Sequence, residues 1–165
     1  MMRRLAPLLV VSLLLAGCAC RGPARKLMLP RGEEAIPTLA AIYQSAGLAS
    51  RVFDEHSLVL STAEGHNVVI FLEDDGGSLQ AVFPCVRGGL VVDASAVSNW
   101  NATRRFSRAY LGEDGLPVMA ADLVLDVTTS RKTLVEWGEL LLALAEVFED
   151  EVWPPVPMQP FPANE

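Results

Sequence analysis

Positive charge is scarce in this chain, and so are the side chains that carry nucleophilic and metal chemistry. Its 165 residues hold 13 Lys and Arg against 20 Asp and Glu, two histidines and three cysteines. So acidic a balance excludes nucleic acid as the partner, because phosphate binding depends on clustered Lys and Arg. The only histidines, His56 and His66, fall in or beside strand turns, and no Gly-x-Ser-x-Gly elbow occurs, so the machinery of nucleophilic hydrolysis is missing. Also missing are His-Glu-x-x-His, a phosphate-cradling glycine loop and a dinucleotide fingerprint. Paired carboxylates such as Asp54-Glu55 and Glu113-Asp114 are adjacent turn residues, so glycosidase chemistry has only composition behind it. An enzyme such as an envelope hydrolase is the competing class, yet no catalytic residue, metal ligand or cofactor site follows from these residues.

Cysteine is confined to Cys18, Cys20 and Cys85. Cys18-Ala19-Cys20 has the wrong spacing for a zinc or redox pair, and chain length permits a Cys20–Cys85 bridge without requiring one. Cys85 closes an apolar run and reads as a buried thiol.

No apolar run reaches the roughly 20 residues that span a bilayer as a helix. What stands at the beginning is Met1-Met2-Arg3-Arg4, a hydrophobic run from Leu5 to Leu15, and then Leu15-Ala16-Gly17-Cys18. Two arginines, a short apolar segment and small residues before a cut define an exported precursor. Leu-Ala-Gly-Cys resembles the bacterial lipobox, which implies a diacylglycerol on the Cys18 sulfur, cleavage just before it and acylation of the new amine; an ordinary cleaved signal peptide is the alternative. A multiply acylated terminus anchors stably. In the enterobacterial lipoproteins that this leader resembles, a non-acidic residue such as Ala19 after the cysteine implies the outer membrane ahead of the inner, with the domain facing the periplasm and the lipid bilayer as partner through acylated Cys18.

Charge along the remaining chain is segregated. Arg21, Arg25, Lys26 and Arg31 follow the anchor, and every acidic residue lies at or beyond Glu33, so that from Glu33 to Glu165 there are 7 basic and 20 acidic groups. Cations beside a lipid anchor are drawn to phosphate headgroups by on the order of 1 kcal/mol each; otherwise they are solubilising linker charges. The organisation is residues 1–17 as signal peptide, 18–35 as lipidated cysteine and basic linker, 36–152 as one α+β domain, and 153–165 as a proline-rich tail. Each proline lacks a donor and fixes its backbone, so this tail, from Trp153 to Pro162, reads as polyproline II, either a ligand for an aromatic groove or an unstructured end.

A first helix is expected from Pro37 to about Ala46, stopped by Gly47, with Ile36, Leu39, Ala40 and Tyr43 on one face. Leu58–Leu60 and Val68–Leu72 read as strands, the second central because it is apolar on both sides. Glu73-Asp74-Asp75-Gly76-Gly77 is a solvated turn and not a calcium loop, whose ligands would alternate; Leu79–Val86 is a third strand. Asp93 caps a helix to Ala102. Arg105–Leu111 then forms a hairpin with Val118–Asp126 across Gly112-Glu113-Asp114-Gly115, with Met119, Ala121, Leu123 and Leu125 on its dry face. A final helix from about Arg131, capped by Thr129 or Ser130, carries Leu134, Trp137, Leu141, Leu144 and Phe148 at spacings of three and four, and the acids Glu146, Glu149, Asp150 and Glu151 oppose its dipole and should fray its end.

The segment from Trp100-Asn101 through Arg105-Phe106-Ser107-Arg108-Ala109-Tyr110-Leu111 to Gly115 resembles the signature of the YbjN family. That signature is a Trp-Asn helix end, an Arg-Phe-x-Arg-Ala-Tyr strand, an acidic glycine turn and an acidic apolar strand leading into a long helix. The likeness extends more weakly back through Asn67–Leu72 and Leu79–Phe83, covering residues 36–152. It implies a fold similar to type III secretion chaperones: an antiparallel sheet of about five strands in the order α-β-β-β-α-β-β-α. It also implies frequent homodimers, an unknown protein partner, a sensory or regulatory role and no catalytic residues. The lipoprotein leader and proline tail depart from the better-known cytoplasmic members. Trp100, Asn101, Arg105, Phe106, Arg108 and Tyr110 are the residues carried over as a partner-binding motif. Their alternative roles are core packing for Trp100, Phe106 and Tyr110, a helix-ending hydrogen bond for Asn101, and pairing of Arg105 or Arg108 with Asp122 across the strands.

Overall fold

The computed structural model describes residues 29–30, 32–86, 92 and 94–153. The signal peptide, Cys18, Cys20, the cations Arg21, Arg25, Lys26 and Arg31, the Asp93 cap and the prolines from residue 154 onward lie outside the described residues. A single 3-10 turn, Gly32–Glu34, leads into α1, Ala35–Ser45, and the chain then runs β1 (Ala49–Val52), β2 (Ser57–Ser61), β3 (Asn67–Leu72), β4 (Ser78–Pro84), α2 (Ala94–Thr103), β5 (Arg108–Leu111), β6 (Pro117–Val124) and α3 (Arg131–Val152). All six strands form one antiparallel sheet in the order β1-β2-β3-β4-β6-β5. Among the described residues no helix is long and apolar enough to cross a membrane.

The α+β class and the antiparallel sheet are as the sequence predicts, with one strand more. Ala49-Ser50-Arg51-Val52 has no buried residue and no apolar alternation, so its composition gives no strand signal. Tertiary bonds make it an edge strand: it pairs with β2, Ser50 Oγ donates to the Ala40 carbonyl at 3.0 Å, and Gln44 Nε2 donates to the Ser50 carbonyl at 2.9 Å. Pro37 sits within the first turn of α1, where its missing N–H has no helical acceptor to lose, and Gly47 leaves the helix at φ 87°.

Side chains that alternate inward from five strands meet the three helices in one cluster. Leu58 and Leu60, Val68 and Ile70, Leu79, Ala81 and Phe83, Ala109, and Met119 and Ala121 all point to this side. Across them lies α3, capped by Ser130, whose Oγ accepts from the Thr133 N–H at 3.1 Å. Its buried stripe is Leu134, Trp137, Gly138, Leu141, Ala145, Phe148 and Val152, and Leu144 is only partly covered. Burial of one stripe on a sheet is the main source of stability for such a helix. The acidic end does not unravel it: α3 continues to Val152 because Glu149 meets His66 Nε2 at 2.6 Å and Glu151 pairs with Arg104. Trp153 then donates its indole N–H to the buried Cys85 sulfur at 3.0 Å.

Two contacts fix the helix layer. At Gly138 a Cβ would stand 2.6 Å from Tyr43 Cε1 and 3.2 Å from Leu48 Cδ1, so only glycine lets α1 approach α3 this closely. Tyr43 is wholly buried with an unpartnered hydroxyl, and burial pushes its phenol well above the ordinary range. Trp100 on α2 lies edge-on to Phe148 at 4.9 Å, and its indole N–H donates to Ser107 Oγ at 3.0 Å. One residue on, Asn101 grips β5 twice: its Oδ1 accepts from the Ala109 N–H at 2.7 Å and its Nδ2 donates to the Ala109 carbonyl at 2.9 Å. Strand β5 begins at Arg108, three residues later than the sequence suggests.

Gly138→Ala should lower stability by about 1–3 kcal/mol in urea unfolding even though alanine is the better helix former, because overpacking outweighs propensity; a gain would mean α1 and α3 are not in close contact. Tyr43→Phe removes a buried hydroxyl without a partner and should be neutral or slightly stabilising. Asn101→Ala should cost about 1–3 kcal/mol through its two lost bonds, with Asn101→Asp, which keeps the acceptor, falling between.

Candidate functional site

Because the three helices occupy one side of the sheet, the alternate side chains of every strand face away from them. The ladder aligns one row of that outer face as Arg51, Val59, Val69, Val82, Ala120 and Arg108, running from β1 to β5. Its centre is apolar and its two ends are guanidinium groups. Val59 at 3% and Ala120 at 1% relative exposure, with Val118 at 9%, are buried yet outside the cluster beneath the helices. Beside that row lie Ser57, Phe71, Gln80 and Asp122 in register on one flank, and Pro84, Val118 and Tyr110 on the other. Phe71 and Tyr110 are both exposed.

Polar contacts mark the β5 end of this face. Arg108 pairs with Asp122, which also accepts from Gln80 Nε2 at 3.3 Å. The pair is more than 40% exposed on both sides, so it orients the two side chains more than it stabilises the fold. At the opposite edge the Arg51 guanidinium lies 5.9 Å from the Phe53 ring centroid. Between α2 and β5, Arg105 is exposed and Phe106 stands 73% exposed. Phe106 and Tyr110, the latter 43% exposed, are large aromatic side chains open to solvent, the residue type in which contact energy concentrates at interfaces.

The six motif residues therefore separate into two sets. Trp100 and Asn101 are architectural: the first is inside, with Arg104 placed 5.0 Å over its ring, and the second clamps β5. Arg105, Phe106, Arg108 and Tyr110 are exposed, and of these Arg108 and Tyr110 belong to the helix-free face. Of the two arginines, Arg108 is the one that pairs with Asp122. The expected wet face of the hairpin is wet only toward Asp122 and Val124, because Val118 and Ala120 extend the apolar row into it.

Val69 and Val82, half-buried on the helix-free face, are contact candidates that the motif does not include, and Val59 lies buried between them and β1. Their signal in the sequence is the apolar character of both faces in Leu58-Val59-Leu60 and Val68-Val69-Ile70, which reads equally well as a strand buried on both sides. Among the described residues no three His, Cys, Asp or Glu side chains gather where a metal ion would sit. The arrangement is an apolar row, buried at Val59 and Ala120 and half-buried at Val69 and Val82, with a guanidinium group at each end.

No curated protein matches the chain. Among solved structures, the HopA1–SchA chaperone–effector complex contains a chain that is 14% identical, with a TM-score of 0.51 over 68% of this chain and 90% of that one; the likeness is one of fold. YbjN from E. coli is 20% identical, with a TM-score of 0.49 over 75% of this chain and 93% of that one. A chain of the ExoU–SpcU complex from the type III secretion system of Pseudomonas aeruginosa is 18% identical, with a TM-score of 0.47 over 70% of this chain and 98% of that one. Residues 36–152 match the family described as "putative bacterial sensory transduction regulator", and the chain belongs to that family, YbjN.

Proposed function

We propose that the protein is a membrane-anchored, non-enzymatic protein-binding or regulatory module of the bacterial cell envelope. Its contact surface is the helix-free face of the sheet together with the exposed Arg105–Phe106 segment. The observation that carries this reading is the exposure of Phe106 at 73% and Tyr110 at 43% in a segment that also exposes Arg105 and Arg108, beside the half-buried Val69 and Val82 on the sheet face that no described helix covers. Apolar surface with charged ends, on a domain that is otherwise acidic, supports docking of a protein partner whose rim carries carboxylates. The HopA1–SchA structure is described as a chaperone–effector complex, a fold-level analogy to a protein-binding role.

Anchoring rests on the sequence. Arg3 and Arg4, the apolar run and Leu15-Ala16-Gly17-Cys18 support export and acylation of Cys18, and Ala19 supports the outer membrane. The domain would then be tethered close to the bilayer, where a partner is met in two dimensions.

Crosslinking in intact cells with the full-length chain as bait should capture one reproducible envelope protein, lost when Cys18→Ser removes the anchor; capture only of further copies of the chain would instead favour a self-associating structural lipoprotein. Cys18→Ser should also move the protein from the membrane to the soluble fraction, and an unchanged distribution would remove the anchor from the proposal. Arg105→Glu with Phe106→Ser should weaken association at least about tenfold, or 1.4 kcal/mol, while leaving the thermal transition in place, since both side chains are exposed. Unchanged association would exclude this segment from the contact.

A further inference from the structure

At the end of the domain where the chain enters the fold there is a cleft of about 520 Å³, distinct from the sheet face above. Its apolar lining comes from Leu72, Leu125, Val127 and Leu134, and one wall is the incoming chain itself, through Leu29 and Pro30. Its polar lining among the described residues is mostly anionic, Glu33, Glu55, Glu73, Asp74, Asp75 and Asp126, with His56 and Thr129 and no described Lys or Arg. Among the described residues none of these six carboxylates is paired with an arginine or lysine; Glu55 meets only the neighbouring His56, at 3.4 Å. The Thr128 hydroxyl and N–H keep the Asp126 carboxyl below the ordinary carboxylate range, so it stays charged at neutral pH. Four of the described cations are engaged elsewhere: Arg104 with Glu151, Arg108 with Asp122, Lys132 with Glu136 and Arg131 with Ser45.

We propose that this cleft is the docking site for the chain's own basic segment, Arg21 to Met28. Three features of that segment fit the site. It carries three cations, Arg21, Arg25 and Lys26, for the carboxylate rim, followed by two apolar side chains, Leu27 and Met28, for the apolar lining. It joins the cleft directly, because the next residue is Leu29 in the wall. And it is within reach: at roughly 3.3–3.6 Å per residue, Lys26 is tied within about 11 Å of Leu29 and Arg25 within about 15 Å. A tether this short holds the segment at an effective concentration on the order of millimolar, so individually weak ion pairs suffice to keep it seated.

The test uses the chain from residue 18 with Cys18→Ser, in two forms: the parent, and one in which Arg21→Ser, Arg25→Ser and Lys26→Ser neutralise the segment. The folded cluster runs from Ile36 to Trp153, so neither form alters it. Each is titrated by NMR with a synthetic peptide of residues 21–28 at concentrations up to millimolar. The neutralised form should bind the peptide about tenfold more tightly than the parent, whose own segment competes at millimolar effective concentration. Glu73→Lys with Asp74→Lys in the neutralised form should abolish the shifts at Leu72, Leu125 and Leu134, and so should 1 M salt, where the screening length falls to about 3 Å. Equal binding by the two forms would show that the parent's segment does not occupy the cleft, and no binding by either would show that the cleft takes no such segment; both results overturn the proposal. No partner protein enters the assay, so it succeeds or fails independently of the binding role assigned to the sheet face.

Discussion

Helix α3 has to bury one stripe along its whole length of 22 residues, and the rest of the domain is arranged around that requirement. Every other helix is positioned by contact with it. Gly138 admits the Tyr43 ring and so fixes α1; Phe148 receives the edge of Trp100 and so fixes α2. Its acidic end would be unfavourable in isolation, since carboxylates there face the negative end of the helix dipole. Arg104 from the end of α2 supplies a positive partner to Glu151, and His66 from the β2–β3 turn meets Glu149 through its Nε2, which ties two distant parts of the chain to the last turn. An unfavourable local charge is thereby turned into a specification of tertiary arrangement.

With all three helices on one side, the other side of the sheet is left to its own side chains. The valine row is the consequence. Strand β3 carries Val69 and Phe71 in its second parity, while β2 and β4 carry Val59 and Val82 there among serine and glutamine neighbours, and only one parity has a described helix to meet. Polar residues in that row would have given an ordinary solvated sheet face; here the row is valine and alanine between Arg51 and Arg108. The domain therefore presents two chemically opposite regions: a cation-framed apolar face on the sheet, and a carboxylate-rimmed cleft where the chain enters.

The fold was legible where periodicity was strong. Leu134, Trp137, Leu141 and Phe148 mark α3 by spacing alone, and alternation of Met119 and Ala121 marks β6. It was illegible where structure depends on a partner distant in sequence. Strand β1 has nothing apolar to bury, and it exists because β2 and α1 supply hydrogen bonds to its backbone and to Ser50. The persistence of α3 past Glu149 follows from His66 and Arg104, neither of which is near it in the chain. At the motif, residue types were readable but their roles were not: Trp100 and Phe106 are both large aromatics six positions apart, and only packing shows one inside and the other outside. Likewise Glu73-Asp74-Asp75 reads as a solvated turn, and nothing local to it reveals that Glu33, Glu55 and Asp126 arrive at the same cleft.

The double bond from Asn101 to Ala109 has a further consequence for how copies of this chain can meet. Strand β5 ends the sheet, and a strand at an edge offers its outward N–H and C=O groups to any extended segment, which is how sheets propagate into fibres. Here an amide side chain, itself a donor and an acceptor in the geometry of a peptide group, already satisfies the pair at Ala109. The sheet is stoppered at that end. Growth by strand addition is blocked there, so encounters near β5 are diverted to side-chain contact on the face, where a finite complex can form in place of an open-ended one.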